Sequence, residues 1–299
     1  MLNHLLSDAT AGRIAVIVNK FGEAGLDHDL IEASAEDVIL MKSGCICCTI
    51  RSDLARTLTD LHARRSRGDL SFDRVVIETT GLADPGPIHH TLMMEPDVSR
   101  TFSLDGIVTA VDAVLGAATL ERHAEAQAQV AMADRIVLTK TDLATGPQID
   151  MLTAQLNALN ARAPRIRAER GRVASGCLFD LNAGRTSGDS AAALEWLGMK
   201  PDPLAGLSGL APRSVAAALP GFPSTATHHA RDSNIVTASI TIDAPIPAPV
   251  FDFWLDMLVG IQGDSILRLK AIVHIEGGQV PFVMHGVQHI LEPPVPLKH

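Results

Sequence analysis

RVVIETTGLADPGP, residues 74–87, decides the fold. Val75, Val76 and Ile77 run without alternation into a carboxylate, Glu78, and then into Thr79, Thr80 and Gly81. An uninterrupted apolar run of this length predicts a strand buried on both faces, which is the habit of parallel sheets. The same construction recurs on both sides of it, in RIAVIVN (13–19), DVILM (37–41), GIVTAVD (106–112) and RIVLTK (135–140). Between several of these runs the apolar spacing becomes helical: Leu54, Leu58 and Leu61 share one face, as do Ile149, Leu152, Leu156 and Leu159. Strands and helices in alternation predict an α/β domain with a mostly parallel sheet, whose ligands bind at the carboxyl ends of the strands.

The pattern changes near residue 180. From there to 234 the chain is rich in Gly, Pro, Ser and Ala, has no sustained period, and reads as a connector. Beyond it, Val236, Ala238, Ile240 and Ile242 alternate as in a strand. Phe251, Trp254, Leu255 and Leu258 keep helical spacing, Leu267 to Ile275 alternate again, and PFVMHGVQHI follows as a further strand. The expected organisation is an α/β domain over 1–179, a linker over 180–234 and a small α+β domain over 235–299.

Composition narrows the function classes. Apolar residues make up 46% of the 299, enough for a core. Against 34 acidic residues stand 25 basic ones, a net charge of −9, which argues against a nucleic-acid partner. No apolar run approaches the ~20 residues needed to cross a bilayer. MLNHLLSDATAG has neither the basic nor the apolar region of a signal peptide, so a cytoplasmic protein is expected.

Three motifs carry chemistry. In nucleoside-triphosphatases an acidic residue at the end of a buried strand holds Mg²⁺ through water, and a glycine three positions on gives its N–H to the γ-phosphate. Glu78 and Gly81 have that spacing, although Glu78 also reads as a capping carboxylate. In RIVLTKTDL (135–143) the strand ends in Thr139, Lys140 and Asp142. A carboxylate there can accept both the N1–H and the N2 amino protons of guanine, a pair that adenine lacks. Lys140 would lie along the base; the plainer reading of Asp142 is the N-cap of the next helix. The third motif, SGCICCTI (43–50), places three of the four cysteines, Cys45, Cys47 and Cys48, within four positions. Thiolates suit Zn²⁺, and three of them leave the fourth position of a tetrahedral site exchangeable. Cys177 stands alone and reads as a buried thiol. His228 and His229 fall in the connector, and His274, His285 and His289 read as packing or surface residues. His89 and His90, after ADPGP, read mainly as part of a helix start.

Taken in order, VNKFGEAGLD (18–27), GCICC (44–48), ETTGLADP (78–85), TKTD (139–142) and DSILRLKAIVHIEG (264–277) closely resemble the CobW-type P-loop GTPases, a metallochaperone family. The resemblance implies GTP hydrolysis with Mg²⁺, coupled to delivery of Zn²⁺, or alternatively Co²⁺, to a client metalloprotein or a cobalamin pathway. It implies Cys45, Cys47 and Cys48 as metal ligands, with Glu23 as an oxygen ligand or switch residue, and leaves a homodimer open. The chain departs from the family at Lys20, where an acidic residue is usual, and at Thr139, where Asn is more frequent. It also has no Gly-x-x-x-x-Gly-Lys-Ser/Thr loop: none of its six lysines follows a glycine. MLNHLLSD resembles the latter half of the helix that follows such a loop. Three expectations stand beside one another: the family function with a start upstream of Met1, a nucleotide-independent metal- or partner-binding protein, and an inactive truncated fragment.

Overall fold

The computed structural model describes residues 1–19, 38–41, 49–81, 83–198, 235, 238–262, 265–287 and 290–298. After a short helix, α1 (Leu2–Ser7), the strands β1 (Ile14–Asn19), β2 (Val38–Met41) and β3 (Arg74–Glu78) form a parallel sheet in the order β2-β1-β3. A second parallel sheet, in the order β4-β5-β6, is built from β4 (Val108–Asp112), β5 (Arg135–Thr139) and β6 (Arg165–Arg167). Among the described residues no ladder joins β3 to β4, so each is an edge strand of its own sheet.

Side-chain packing joins what the backbone does not. Val16 and Val18 of β1, Val76 of β3, Val108 of β4 and Val137 of β5 fall in one apolar cluster, with Leu2, Leu5 and Leu6 of α1 packed into it. The period of two along β1 sends Ala15 and Ile17 to the opposite face. There they meet Leu54, Leu58 and Leu61 of α2 (Thr49–Arg67), Leu92 of α3 (Gly86–Met94) and Val98 of α4 (Pro96–Ser99). On the second sheet, Val111, Ile136 and Leu138 pack against α5 (Gly116–Arg122), α6 (Ala124–Met132) and α7 (Gly146–Asn160) through Leu120, Val130, Leu152, Leu156 and Leu159. Both leucine stripes read from the sequence are therefore the core-facing sides of helices α2 and α7, and the α/β class is as expected.

The span read as a connector from residue 180 carries two short helices, α8 (Ala183–Thr186) and α9 (Ser190–Trp196). The Asp189 side chain caps α9 by accepting from the Ala192 N–H. Ala193 and Trp196 then pack on the C-terminal domain with Ile272, Val283 and Leu297. That domain contains α10 (Ala248–Gln262) and an antiparallel sheet of β7 (Leu269–Val273), β8 (Phe282–Val287), β9 (Ile290–Leu291) and β10 (Val295–Pro296). Residues 238–242, expected as a strand, are not one: Ile240 and Ile242 are 79% and 62% exposed. Alternation says which side chains would share a face, but a strand also needs a partner for its backbone, and the described residues supply none there. No helix among the described residues is long and apolar enough to cross a membrane.

Candidate functional site

The strand ends bring the polar motifs to the carboxyl side of their sheets. β3 delivers Glu78, exposed, and leads into Thr79, Thr80 and Gly81. Gln129 of α6 clasps this turn, its side-chain amide donating to the carbonyls of Ala83 (2.7 Å), Gly81 (3.2 Å) and Thr80 (3.4 Å). The Thr80 hydroxyl is buried without a hydrogen-bond partner, an orphaned polar atom beside Glu78 and Gly81. A Cβ added at Gly81 would meet only open space. An exposed carboxylate, an orphaned hydroxyl and an open glycine fit the neighbourhood of a phosphate and its Mg²⁺. Asp84 then accepts from the Gly86 N–H and starts α3.

β4 and β5 end side by side. The Ala113 N–H donates to the Thr139 carbonyl (2.9 Å), and the Thr139 hydroxyl to the Val111 carbonyl (3.3 Å). Asp112 accepts from the N–H groups of Val114 (2.8 Å) and Leu115 (3.1 Å) through one oxygen and from the Lys140 ammonium (2.5 Å) through the other. Burial pushes the Asp112 carboxyl up, but Lys140 and the two amides outweigh it and hold it below the usual carboxylate range. Lys140 itself adopts a left-handed backbone, φ 56°. The N-cap of α7 is Thr145, in a capping box with Gln148, so Asp142 does not cap that helix and stays exposed in the turn before it. Cys45, Cys47, Cys48 and Glu23 lie outside the described residues, as do His228, His229 and His289.

A second polar centre, not anticipated from sequence, lies where the two domains meet. Asp134, at the start of β5, is paired with Arg268 and lies 3.5 Å from Lys270. Burial raises its pKa, but the two cations and the Ile107 N–H lower it further, so it stays ionised. Burial, with Arg268 beside it, brings Lys270 down to about 7; its ammonium also sits 4.3 Å over the Trp196 ring. Beyond Trp196, His285 and His89 converge on Glu292, whose other oxygen is held by Arg185. Burial and the guanidiniums of Arg185 and Arg268 bring His89 down to about 4, and His285 is lowered for the same reasons, so both imidazoles are neutral. His285 is thus a member of a buried network and not a plain packing residue. No spacing in the sequence could have shown that, because His89 and Glu292 are 203 positions apart.

Parallel strands ending in carboxylates, flanked by helices on both faces and followed by a small antiparallel domain, define a nucleotide-binding α/β protein with an appended C-terminal domain. Residues 1–167 match the CobW/HypB/UreG nucleotide-binding domain, and residues 235–299 match the cobalamin synthesis protein cobW C-terminal domain. The chain is 32% identical over 290 residues to the zinc chaperone YjiA of Escherichia coli, covering 97% of this chain and 82% of that one. It is 32% identical over 216 residues to the zinc chaperone CobW of Sinorhizobium, covering 62% of this chain and 60% of that one. The crystal structure of Zn(II)-bound YjiA GTPase superposes with a TM-score of 0.68 at 27% identity, over 99% of this chain and 84% of that one. The chain therefore belongs to the CobW/HypB/UreG nucleotide-binding family, the GTPase family of YjiA.

Proposed function

We propose that the chain is a GTP-dependent metallochaperone of the cytoplasm. It holds Zn²⁺, with Co²⁺ as the alternative cargo, on Cys45, Cys47 and Cys48 with help from Glu23, and hands it to a client metalloprotein or a cobalamin pathway. The observation that carries this reading is the placement of Glu78, Gly81 and the Asp112–Lys140 pair at the carboxyl ends of parallel strands, in a chain matching both domains of the family. Relatives named as zinc chaperones and a Zn(II)-bound structural neighbour support zinc as the cargo.

The residues divide the work. Glu78 would hold a Mg²⁺, which when bound supplies positive charge to the phosphates. The Gly81 N–H reports the γ-phosphate, and its loss frees the turn that Gln129 clasps. Asp142 accepts the two edge protons of guanine, with Thr139 and Lys140 alongside. The cysteine motif lies in the sequence between β2 and α2, so a shift in the nucleotide-side segments can alter the thiolate site. By linkage, bound zinc must then change GTP affinity by the same factor.

One observation favours a second reading. The sequence has no Gly-Lys-Ser/Thr loop, so most of the usual phosphate contacts are missing from it. A nucleotide-independent metal- or partner-binding protein fits that fact. Metal analysis of the purified chain beside a Cys45→Ser/Cys47→Ser/Cys48→Ser variant tests the thiolate site, and calorimetry of GTP with and without Zn²⁺ tests the coupling. We expect zinc to fall in the variant and GTP to bind weakly. Equal zinc in both proteins sinks the thiolate site. Detectable GTP binding that zinc leaves unchanged sinks the coupling, and with it the GTP-dependent reading. Size measurement in solution decides whether a homodimer forms.

A further inference from the structure

Three ligand-type side chains meet at the domain boundary. His89 comes from the first turn of α3, His285 from β8 and Glu292 from just after β9, and all three are buried. His89 Nε2 lies 3.4 Å, and His285 Nδ1 2.7 Å, from the same oxygen, Glu292 Oε1. The three candidate ligand atoms all fall within 4.8 Å of one another. We infer that His89, His285 and Glu292 form a second metal site, distinct from the cysteine motif, that takes a borderline divalent cation such as Zn²⁺ and bridges the nucleotide domain to the C-terminal domain.

The donor set suits that ion: two borderline imidazoles with one harder carboxylate make a nitrogen/oxygen set that zinc accepts, and three protein ligands leave a fourth position for water. The geometry is close. Tetrahedral bonds of about 2.0–2.1 Å set neighbouring ligand atoms about 3.3 Å apart. The His89–Glu292 separation already has that value, and the His285–Glu292 pair has to open by only about 0.6 Å. Arg185 holds Glu292 Oε2 and so fixes the carboxylate with Oε1 toward the rings, the role of an outer partner in metal sites. A small crevice lined by Leu104, Asn182, Arg185, Trp196, His285 and Glu292 lies against the site.

Charge sets the strength. Arg185, Arg268 and Lys270 oppose a further cation, and the two carboxylates Asp134 and Glu292 offset them only in part. The neighbouring cations therefore make the site weaker than the same donor set would be without them. Its position gives it a role, because α3 follows directly on the turn after Glu78, so a bound ion ties that turn to the C-terminal domain.

The inference does not depend on the thiolate reading, and the test removes the thiolates. The full chain carrying Cys45→Ser, Cys47→Ser, Cys48→Ser, His228→Gln and His229→Gln is titrated with Co²⁺ and Zn²⁺ alone, by visible absorption and by competition with a chromophoric chelator. We expect one equivalent with the spectrum of a nitrogen/oxygen site, weakened more than roughly tenfold by His285→Gln or Glu292→Gln in proteins that still unfold cooperatively. Should those variants not fold, X-ray absorption of the zinc-loaded parent reads the shell directly, and two imidazoles are expected. No bound metal, binding unchanged by the substitutions, or a shell without two imidazoles overturns the site and leaves a hydrogen-bonded tie between domains.

Discussion

Lys140 places its ammonium 2.5 Å from Asp112 Oδ2, fastening the carboxyl end of β5 to that of β4. The contact holds two strand-end loops in one arrangement, with Lys140 in a left-handed backbone that an unconstrained lysine rarely adopts. Replacing Lys140 by Met removes the ammonium while keeping the stem. The Asp112 carboxyl, now held below its usual range, should titrate higher in that variant, as followed by carbon-detected NMR. An unmoved titration means that the amides of Val114 and Leu115 alone hold it.

Asp134 is the balancing charge of the domain boundary, buried against Arg268 and Lys270. Asp134→Ala leaves a guanidinium buried without its partner. Urea denaturation should show a loss of about 3–5 kcal/mol, the usual result of breaking one side of a buried pair. A loss within experimental error would falsify the view that these charges are desolvated together.

Lys270 predicts a pH dependence. Its pKa is about 7 in the folded protein against an ordinary value of 10.5. Between those values the unfolded chain binds more protons than the folded one, so stability rises with pH from about 7 toward 10.5. The contribution approaches about 1.4 kcal/mol per pH unit at most. Lys270→Met should flatten the rise in the unfolding free energy between neutral and alkaline pH, and superimposable profiles for the two proteins count against it.

Leu58, near the middle of α2, is almost wholly buried between Leu54 and Leu61 and against β1. Leu58→Ala removes three carbons from a packed interior and leaves a cavity, so a destabilisation of roughly 2–5 kcal/mol is expected by chemical denaturation. Thr145→Ala, which removes the capping box of α7, should cost about 1 kcal/mol. The ordering of these two effects is itself checkable, since an exposed cap should never outweigh a core leucine.

Local chemistry made much of the fold legible. Uninterrupted apolar runs marked β1 to β5, and leucines at helical spacing marked the buried faces of α2 and α7, because each signal fits within one element. The strand ending in Glu78 was read correctly as a place where polar groups gather. Asp112 ends its strand in the same way, and that repetition was the available clue to its pairing with Lys140. Where the signal depended on a neighbour it misled: Ile240 and Ile242 alternate as a strand would but stand exposed, and Trp254, at helical spacing with the buried Phe251, is 40% exposed.

By itself the amino-acid sequence determined the α/β class, the family and the chemical character of the strand-end motifs, since periodicity and short spacings are properties of neighbouring residues. Only the tertiary structure decided that His89, Arg185, His285 and Glu292 share one buried centre, and that Asp134 finds Arg268 across 134 positions of chain. Contacts of that kind are set by how the C-terminal sheet docks beside α3 and β5. Docking depends on the summed shape of distant surfaces, which no local pattern of residues encodes.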